Sequence, residues 1–169
     1  MNTEQEKVDF YTGSNPLDSI EDVLVNQDWV FERRHDDEIK VTVSGTLGNY
    51  LITFLWLENE KSLLFKCVYD ISFLKENKDV VAQTLMSINP RLWLGHFELD
   101  EKSLTPCFRY TTMFRGWPKT TGTDQIEDLI EYALMECEHY YNIFNLLSKS
   151  VTINNACLDL ALMDSKGVA

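Results

Sequence analysis

The chain has 169 residues and is 44% hydrophobic and 12% aromatic, which is enough to bury a full core in one domain without a metal ion or a disulfide. Its 15 Lys and Arg residues against 27 Asp and Glu residues give a net charge of −12. Such a charge repels nucleic-acid phosphates and disfavours nucleic-acid binding, so the acidity indicates solubility or a basic partner.

Neither the N-terminal residues nor the cysteines indicate export. Residues 1–7 are polar and lack the apolar stretch of a signal peptide, and the apolar runs elsewhere are too short for a membrane span. No C-x-x-C pair is present, so neither a zinc site nor a thioredoxin-like motif is expected. We therefore expect a cytoplasmic protein with no metal or cofactor and with free thiols at Cys67, Cys107, Cys137 and Cys157.

The first predicted elements are a leader and a short helix. Residues 1–14 are polar and are predicted to be a flexible leader. Asn15 is a good helix cap, Pro16 suits the first helical position and Asp18 favours the positive end of the helix dipole. Apolar residues at helical spacing then predict a helix that runs to about Asn26.

Four strand-like runs follow. Residues 29–33 form the first, and residues 39–43 alternate between apolar and polar side chains as in a half-exposed strand. Residues 50–57 are apolar on both faces, which is typical of a central strand, and residues 62–69 return after a tight hairpin. Because the connections are too short for crossovers, we expect an antiparallel meander.

Residues 75–94 are predicted to be helical, with an apolar face. Pro90 lies inside this segment, so we expect a kink or a break near residues 87–89. Gly95 is predicted to end the segment and to join it to the next strand.

The last third of the chain is predicted to add two strands and a long helix. The strands cover residues 96–100 and 106–115, and a loop then carries Trp117 beside a glycine and a proline. The best helical pattern in the chain begins at Thr123, with apolar residues at i, i+3, i+4 and i+7. Residues 151–163 are predicted to form an optional short amphipathic helix.

The predicted element order is α-β-β-β-β-α-β-β-α, with the optional helix after it. Strand runs grouped between helices indicate an α+β fold, in which helices flank a twisted and mainly antiparallel sheet. The predicted divisions are a leader at 1–14, one domain at 15–148 and a tail at 149–169.

The segment 88–98 contains the most concentrated set of candidate functional residues, namely Arg91, Trp93, Gly95 and His96. We interpret it as the joint where a kinked helix turns into a strand, with Leu92 and Trp93 facing the core. In this interpretation His96 donates a hydrogen bond to a backbone carbonyl and holds the joint.

Two alternatives give individual residues a direct functional role. His96 could act as a general base with Arg91 or a nearby acid, if a pocket brings them together. Trp117 lies in a predicted loop, where an exposed tryptophan would mark an interface or a ligand contact.

Motifs of known reaction chemistry are absent from the sequence. It contains no G-x-S-x-G, no G-x-x-x-x-G-K-[ST] and no G-x-G-x-x-G. Glu136 and His139 form one Glu-x-x-His motif, whereas di-iron bundles place two such motifs on separate helices. We therefore predict no catalytic, metal-binding or cofactor-binding residues.

A family likeness is carried by five stretches: Asn15-Pro16-Leu17 with Ile20-Glu21, Asp28 to Arg33, Ile88 to Glu98, Arg109-Tyr110, and the acidic helix around Glu127 and Glu136. In collinear order they resemble the YbjN-domain family of bacteria over about residues 15–145. Pro90 departs from the helix-forming residue that the likeness leads us to expect. The resemblance implies a regulator of sensory transduction with a fold similar to type III secretion chaperones, which are commonly dimeric. It supplies no catalytic residues.

The sequence therefore predicts a non-enzymatic, chaperone-like or regulatory domain that binds a protein segment and forms a homodimer. Apolar contacts on a sheet face or dimer groove would hold the segment, and acidic surroundings would favour a basic partner. Neither nucleic acid nor membrane is expected as a partner. The alternatives are a small-molecule sensor with a pocket between sheet and helix, and an enzyme that uses His96.

Overall fold

A computed structural model describes residues 15–113 and 122–149. The predictions for residues 1–14, for Trp117 and for the optional helix at 151–163 lie outside these residues, as do Cys157 and the last two residues of the predicted strand at 106–115. In the described part, six antiparallel strands form one sheet in the order β1-β2-β3-β4-β6-β5, accompanied by three α-helices. The α+β class and the predicted element order are confirmed.

The bounds of the elements follow the predicted order closely. They are α1 (Pro16–Asn26), β1 (Phe31–Arg34), β2 (Glu38–Ser44), β3 (Asn49–Leu57), β4 (Ser62–Tyr69), a 3₁₀ turn (Lys75–Asn77), α2 (Lys78–Ile88), a second 3₁₀ turn (Asn89–Arg91), β5 (His96–Asp100), β6 (Thr105–Met113) and α3 (Gly122–Lys149).

Helix α1 begins and ends with local hydrogen bonds that its sequence encodes. The Asn15 side chain accepts a hydrogen bond from the Leu17 N–H at 3.0 Å, and Pro16 occupies the first turn. At the other end Asp28 has φ +55°, and the N–H of Trp29 donates to the Leu24 carbonyl at 2.9 Å. This is the left-handed helix ending that glycine usually provides.

The two faces of the sheet differ in burial. On the inner face, paired residues such as Phe54 and Phe65 are fully buried in the same core cluster as the apolar sides of the helices. On the outer face, Leu55 and Leu64 pair across β3 and β4 and are only half-buried. Strand β3, whose sequence is apolar on both faces, therefore has one buried and one half-exposed face, and its predicted central place in the sheet is confirmed.

The predicted helix at 75–94 was wrong at both ends. Helix α2 ends at Ile88, so the break predicted near residues 87–89 is confirmed. A 3₁₀ turn containing Pro90 follows, and Leu92 is already extended with φ −82° and ψ 133°. Pro90 cannot donate the backbone hydrogen bond that would continue the helix, which explains the early end.

Helix α3 lies across the inner face and anchors the β2–β3 hairpin. The Tyr50 hydroxyl donates to Glu138 Oε1 at 2.7 Å, and the Leu47 N–H donates to Glu138 Oε2 at 3.0 Å. Glu138 thus accepts hydrogen bonds from another element, since the hairpin loop reaches over the helix.

Candidate functional site

An open cleft of about 640 Å³ lies on the inner side of the sheet, between β6 and the N-terminal half of α3. The segment between α2 and β5 supplies one of its walls. The lining is mainly apolar and aromatic, and it consists of Trp93, Leu94, Tyr110, Thr112, Gln125, Ile126, Asp128, Leu129, Glu131, Tyr132 and Met135. Its volume falls in the range of protein ligand pockets.

Trp93 is the most exposed aromatic wall of this cleft. Its side chain is 78% exposed, and its ring centre lies 4.8 Å from that of Tyr132 at an interplanar angle of 59°. We predicted that Trp93 faces the core, and this was wrong. Because α2 ends before this residue, the extended chain after Leu92 directs the indole outward while Leu92 packs against the core. An exposed indole beside an apolar cleft is a typical contact surface.

Tyr132 forms the buried side of the same aromatic pair. Only 8% of the residue is exposed, and its hydroxyl lies near the Glu136 carboxyl and the backbone of Trp93 and Leu94 without a hydrogen bond of normal geometry to a described residue. Burial raises the pKa of Tyr132, and the nearby Glu136 charge adds to this effect, so the phenol stays protonated. A phenol hydroxyl in this wall of the cleft can form a hydrogen bond with a ligand that reaches it.

The charged residues that line the cleft are acidic. Asp128 and Glu131 are exposed on α3 and face it, and no Lys or Arg occurs among its described lining residues. Glu136 lies one turn further along the helix, and burial raises the pKa of its carboxyl above the ordinary value. The rim therefore favours a cationic group over an anionic one.

The joint between α2 and β5 is held by Asn89 rather than by His96. The Asn89 amide donates to the Phe97 carbonyl at 3.0 Å and accepts from the Phe97 N–H at 2.8 Å. Gly95 has φ +66°, and a Cβ there would overlap the Phe108 ring and the Arg109 carbonyl. The predicted role of Gly95 as a joint is confirmed, whereas the predicted bracket by His96 was wrong because that side chain points to the outer face and is half exposed.

Arg91 and His96 do not converge on the cleft. Arg91 is exposed in the 3₁₀ turn and does not line the cleft. His96 lies on the outer face, where its Nε2 is 3.9 Å from Glu98 Oε2. The enzymatic alternative that pairs them thus lacks a shared pocket.

An ion-pair cluster lies next to His96 on the outer face. The Glu98 carboxylate is 3.1 Å from both Lys66 Nζ and Arg109 Nη1. Burial alone would raise the pKa of Glu98, but the hydrogen bonds from these two cations outweigh it and lower the pKa. Burial, together with the Glu98 charge, raises the pKa of the Cys107 thiol to about 12, so this cysteine is not a reactive thiolate.

Residues 15–113 and 122–149 contain neither a cluster of metal ligands nor a membrane-spanning helix. These residues contain no group of three or more His, Cys, Asp or Glu side chains arranged to hold a metal ion. None of their helices has the length and apolar character needed to cross a membrane.

Sequence reasoning identified one wall of the cleft and missed the other. Trp93 was among the candidate residues, whereas Tyr132 and Met135 were predicted only to lie within the long helix that begins at Thr123. Met135 is an apolar residue that lies outside the i, i+3, i+4 and i+7 pattern of the helix, and it is exposed. An apolar residue on the polar side of the helix was the available signal.

Comparisons with known proteins show a family match over most of the chain. Residues 16–145 match the YbjN family, described as "Putative bacterial sensory transduction regulator". A crystal structure of YbjN from E. coli, described as "a putative transcription regulator", is similar with a TM-score of 0.51 and 12% identity, over 79% of this chain and 97% of that chain. At this identity the likeness concerns the fold. No curated protein matches the chain.

Proposed function

Because the chain belongs to the YbjN family of bacterial regulators, we propose that it is a non-enzymatic, chaperone-like regulatory domain that binds a segment of another protein. The observation that best supports this proposal is the open apolar cleft beside the exposed Trp93. A bulky apolar side chain of the partner enters between Trp93 and Leu129, and the partner's backbone stays outside.

The acidic rim selects the residues around that apolar anchor. Asp128 and Glu131 border the cleft, and the whole chain carries a net charge of −12. A lysine or arginine next to the anchor is attracted by these two carboxylates and by the net charge of the chain. An aromatic ring such as Trp93 also attracts a cation. The preferred partner is therefore a basic segment with one large apolar residue.

We assign the protein to the cytoplasm. Cys67, Cys107 and Cys137 are buried free thiols, and such thiols are usual in a reducing compartment. The proposal of a non-enzymatic role is supported by the separation of Arg91 and His96 from the cleft.

Labelled peptides test the proposed binding directly. The probe is a fluorescent peptide with one phenylalanine between lysines, and fluorescence anisotropy measures its dissociation constant. One matched peptide replaces the phenylalanine by serine and another replaces the lysines by glutamates. We expect each replacement to weaken binding at least tenfold, which corresponds to about 1.4 kcal/mol.

The same probe tests the position of the site. Trp93→Ala removes the exposed wall of the cleft and should weaken binding about tenfold, as for an interface hot spot. Met86→Ala is the matched control, because Met86 is an equally exposed apolar residue on α2 outside the cleft. Equal affinities for the three peptides, or wild-type affinity of the Trp93 variant, would contradict the proposal.

The Tyr132 hydroxyl in the wall of the cleft favours a second candidate, a sensor of small apolar molecules that carry one hydrogen-bond acceptor. A panel of aromatic ketones and amides, screened by ligand-observed NMR, tests it. Binding that is lost in Tyr132→Phe and kept in Met86→Ala would support this candidate, and absence of binding across the panel would count against it.

A further inference from the structure

The cleft between β6 and α3 combines aromatic rings with carboxylates. Trp93, Tyr110 and Tyr132 line it together with Asp128 and Glu131, and its described lining residues include no cationic side chain. An aromatic face attracts a cation through the ring quadrupole, and a carboxylate attracts it through its full charge. Both kinds of group therefore select a ligand of positive charge.

The indole of Trp93 is the aromatic ring most available to such a ligand. Its side chain is exposed, whereas Tyr132 is buried and also packs on Phe108, with ring centres 6.0 Å apart. The contact between Trp93 and Tyr132, at 4.8 Å, supports the indole from one side. Because tryptophan attracts cations more strongly than tyrosine or phenylalanine does, this wall of the cleft is suited to a positive group.

The carboxylates of the cleft are available as well. Asp128 and Glu131 are exposed, and neither belongs to an ion pair between described residues. Helix α3 begins at Gly122, so both residues lie beyond its first turn. The positive end of a helix dipole acts mainly within the first turn and therefore opposes a cation only weakly at these positions.

The size and lining of the cleft indicate which kind of cation fits. Its volume of about 640 Å³ exceeds that of a single ammonium group, and most of its lining, including Leu94, Ile126 and Leu129, is apolar. A primary ammonium is a compact and strongly hydrated charge, so contact with an apolar surface costs it hydration. An ammonium whose hydrogens are replaced by alkyl groups is covered by carbon and suits aromatic walls better.

We propose that the cleft binds a small organic cation in which an alkylated ammonium group is joined to an apolar body. The ammonium group lies against the Trp93 indole and the two carboxylates, and the apolar body lies along Ile126 and Leu129. Since the cleft is the binding site of the proposed function, on which this inference rests, the cation competes with the protein segment and releases it. The carboxylates disfavour anionic ligands.

Benzyltrimethylammonium is the probe, titrated into the isotope-labelled full chain and followed by NMR. The indole N–H signal of Trp93 reports the site, and Trp93→Phe identifies it among the signals of the four tryptophans. Benzyl alcohol keeps the ring without the charge, and tetramethylammonium keeps the charge without the ring. We expect each to bind at least tenfold more weakly than the probe.

Variants measured by isothermal titration calorimetry separate cation recognition from apolar contact. Trp93→Leu keeps an apolar side chain but removes the aromatic ring, so it should weaken the probe about fivefold and change the affinity for benzyl alcohol less. Asp128→Asn and Glu131→Gln should each weaken the probe about threefold. Glu127→Gln is the matched control, because it removes the same charge from α3 at a residue that does not line the cleft.

The outcomes also distinguish this ligand class from the two functions proposed for the cleft. If the lysine-flanked phenylalanine peptide binds and the probe does not, the inference is overturned and segment binding stands. If the probe binds and no peptide does, segment binding fails and the ligand class stands. Tyr132→Phe keeps the ring and should bind the probe like the wild type, whereas a ligand held by the hydroxyl would be lost. Equal affinities for the probe and benzyl alcohol, or full affinity of Trp93→Leu for the probe, would overturn the inference.

Discussion

Asn89 holds the edge strand β5 against the turn that precedes it. Its side chain satisfies both backbone groups of Phe97, and Phe97 is fully buried in the core. Asn89→Ala leaves these two groups without their partner, so we expect a loss of about 2 kcal/mol in the free energy of unfolding, measured by urea titration.

Two further variants define the role of Asn89. Asn89→Asp keeps the acceptor for the Phe97 N–H but loses the donor, and we expect an intermediate loss. Ser87→Ala removes an exposed side-chain hydrogen bond to Gln83 within α2 and should change stability by less than about 0.5 kcal/mol. If Asn89→Ala were as mild as Ser87→Ala, the bracket would not contribute to stability.

At the scale of elements, the direction in which β5 leaves the joint depends on the backbone of Gly95. Its φ of +66° is left-handed, and a side chain would also overlap Phe108. We expect Gly95→Ala to lower the free energy of unfolding by about 2–3 kcal/mol. Since the turn aims Trp93 into the cleft wall, the peptide affinity should fall as well.

The end of α1 allows the opposite substitution, in which glycine replaces another residue in left-handed backbone. Asp28 has φ +55° in an exposed helix ending where glycine is favoured, so Asp28→Gly should raise stability by about 0.5 kcal/mol. Chemical denaturation of both variants measures the two effects. If both substitutions lowered the free energy of unfolding equally, the left-handed backbone would not explain the stability of these two positions.

The elements could be predicted because their signals are local. The alternation at Ile39, Val41 and Val43 and the helical spacing from Ile126 to Phe144 each report a face that the structure buries or half-buries. The helix break followed from Pro90, since the missing donor acts within one turn.

The cleft could not be predicted in the same way, because it depends on tertiary direction. Trp93 and Tyr132 are far apart in sequence, and their contact requires α2 to end early and Gly95 to turn the chain. Asn89 likewise acts on a partner eight residues away across that turn. Neither pattern nor propensity specifies such a contact, although Trp93 and Gly95 were identified as candidates.

At the scale of the whole molecule, the net charge of −12 acts on a partner before any contact forms. At the cleft, this charge attracts a basic segment toward Asp128 and Glu131. Added salt screens this attraction, with a screening length of about 10 Å at 0.1 M.

Raising the salt concentration to about 0.3 M should therefore weaken binding of the lysine-flanked peptide. Fluorescence anisotropy gives its dissociation constant in each buffer. A peptide with serines in place of the lysines is the control and should lose most of the salt dependence. If the two peptides showed the same salt dependence, the acidic charge around the cleft would not govern association.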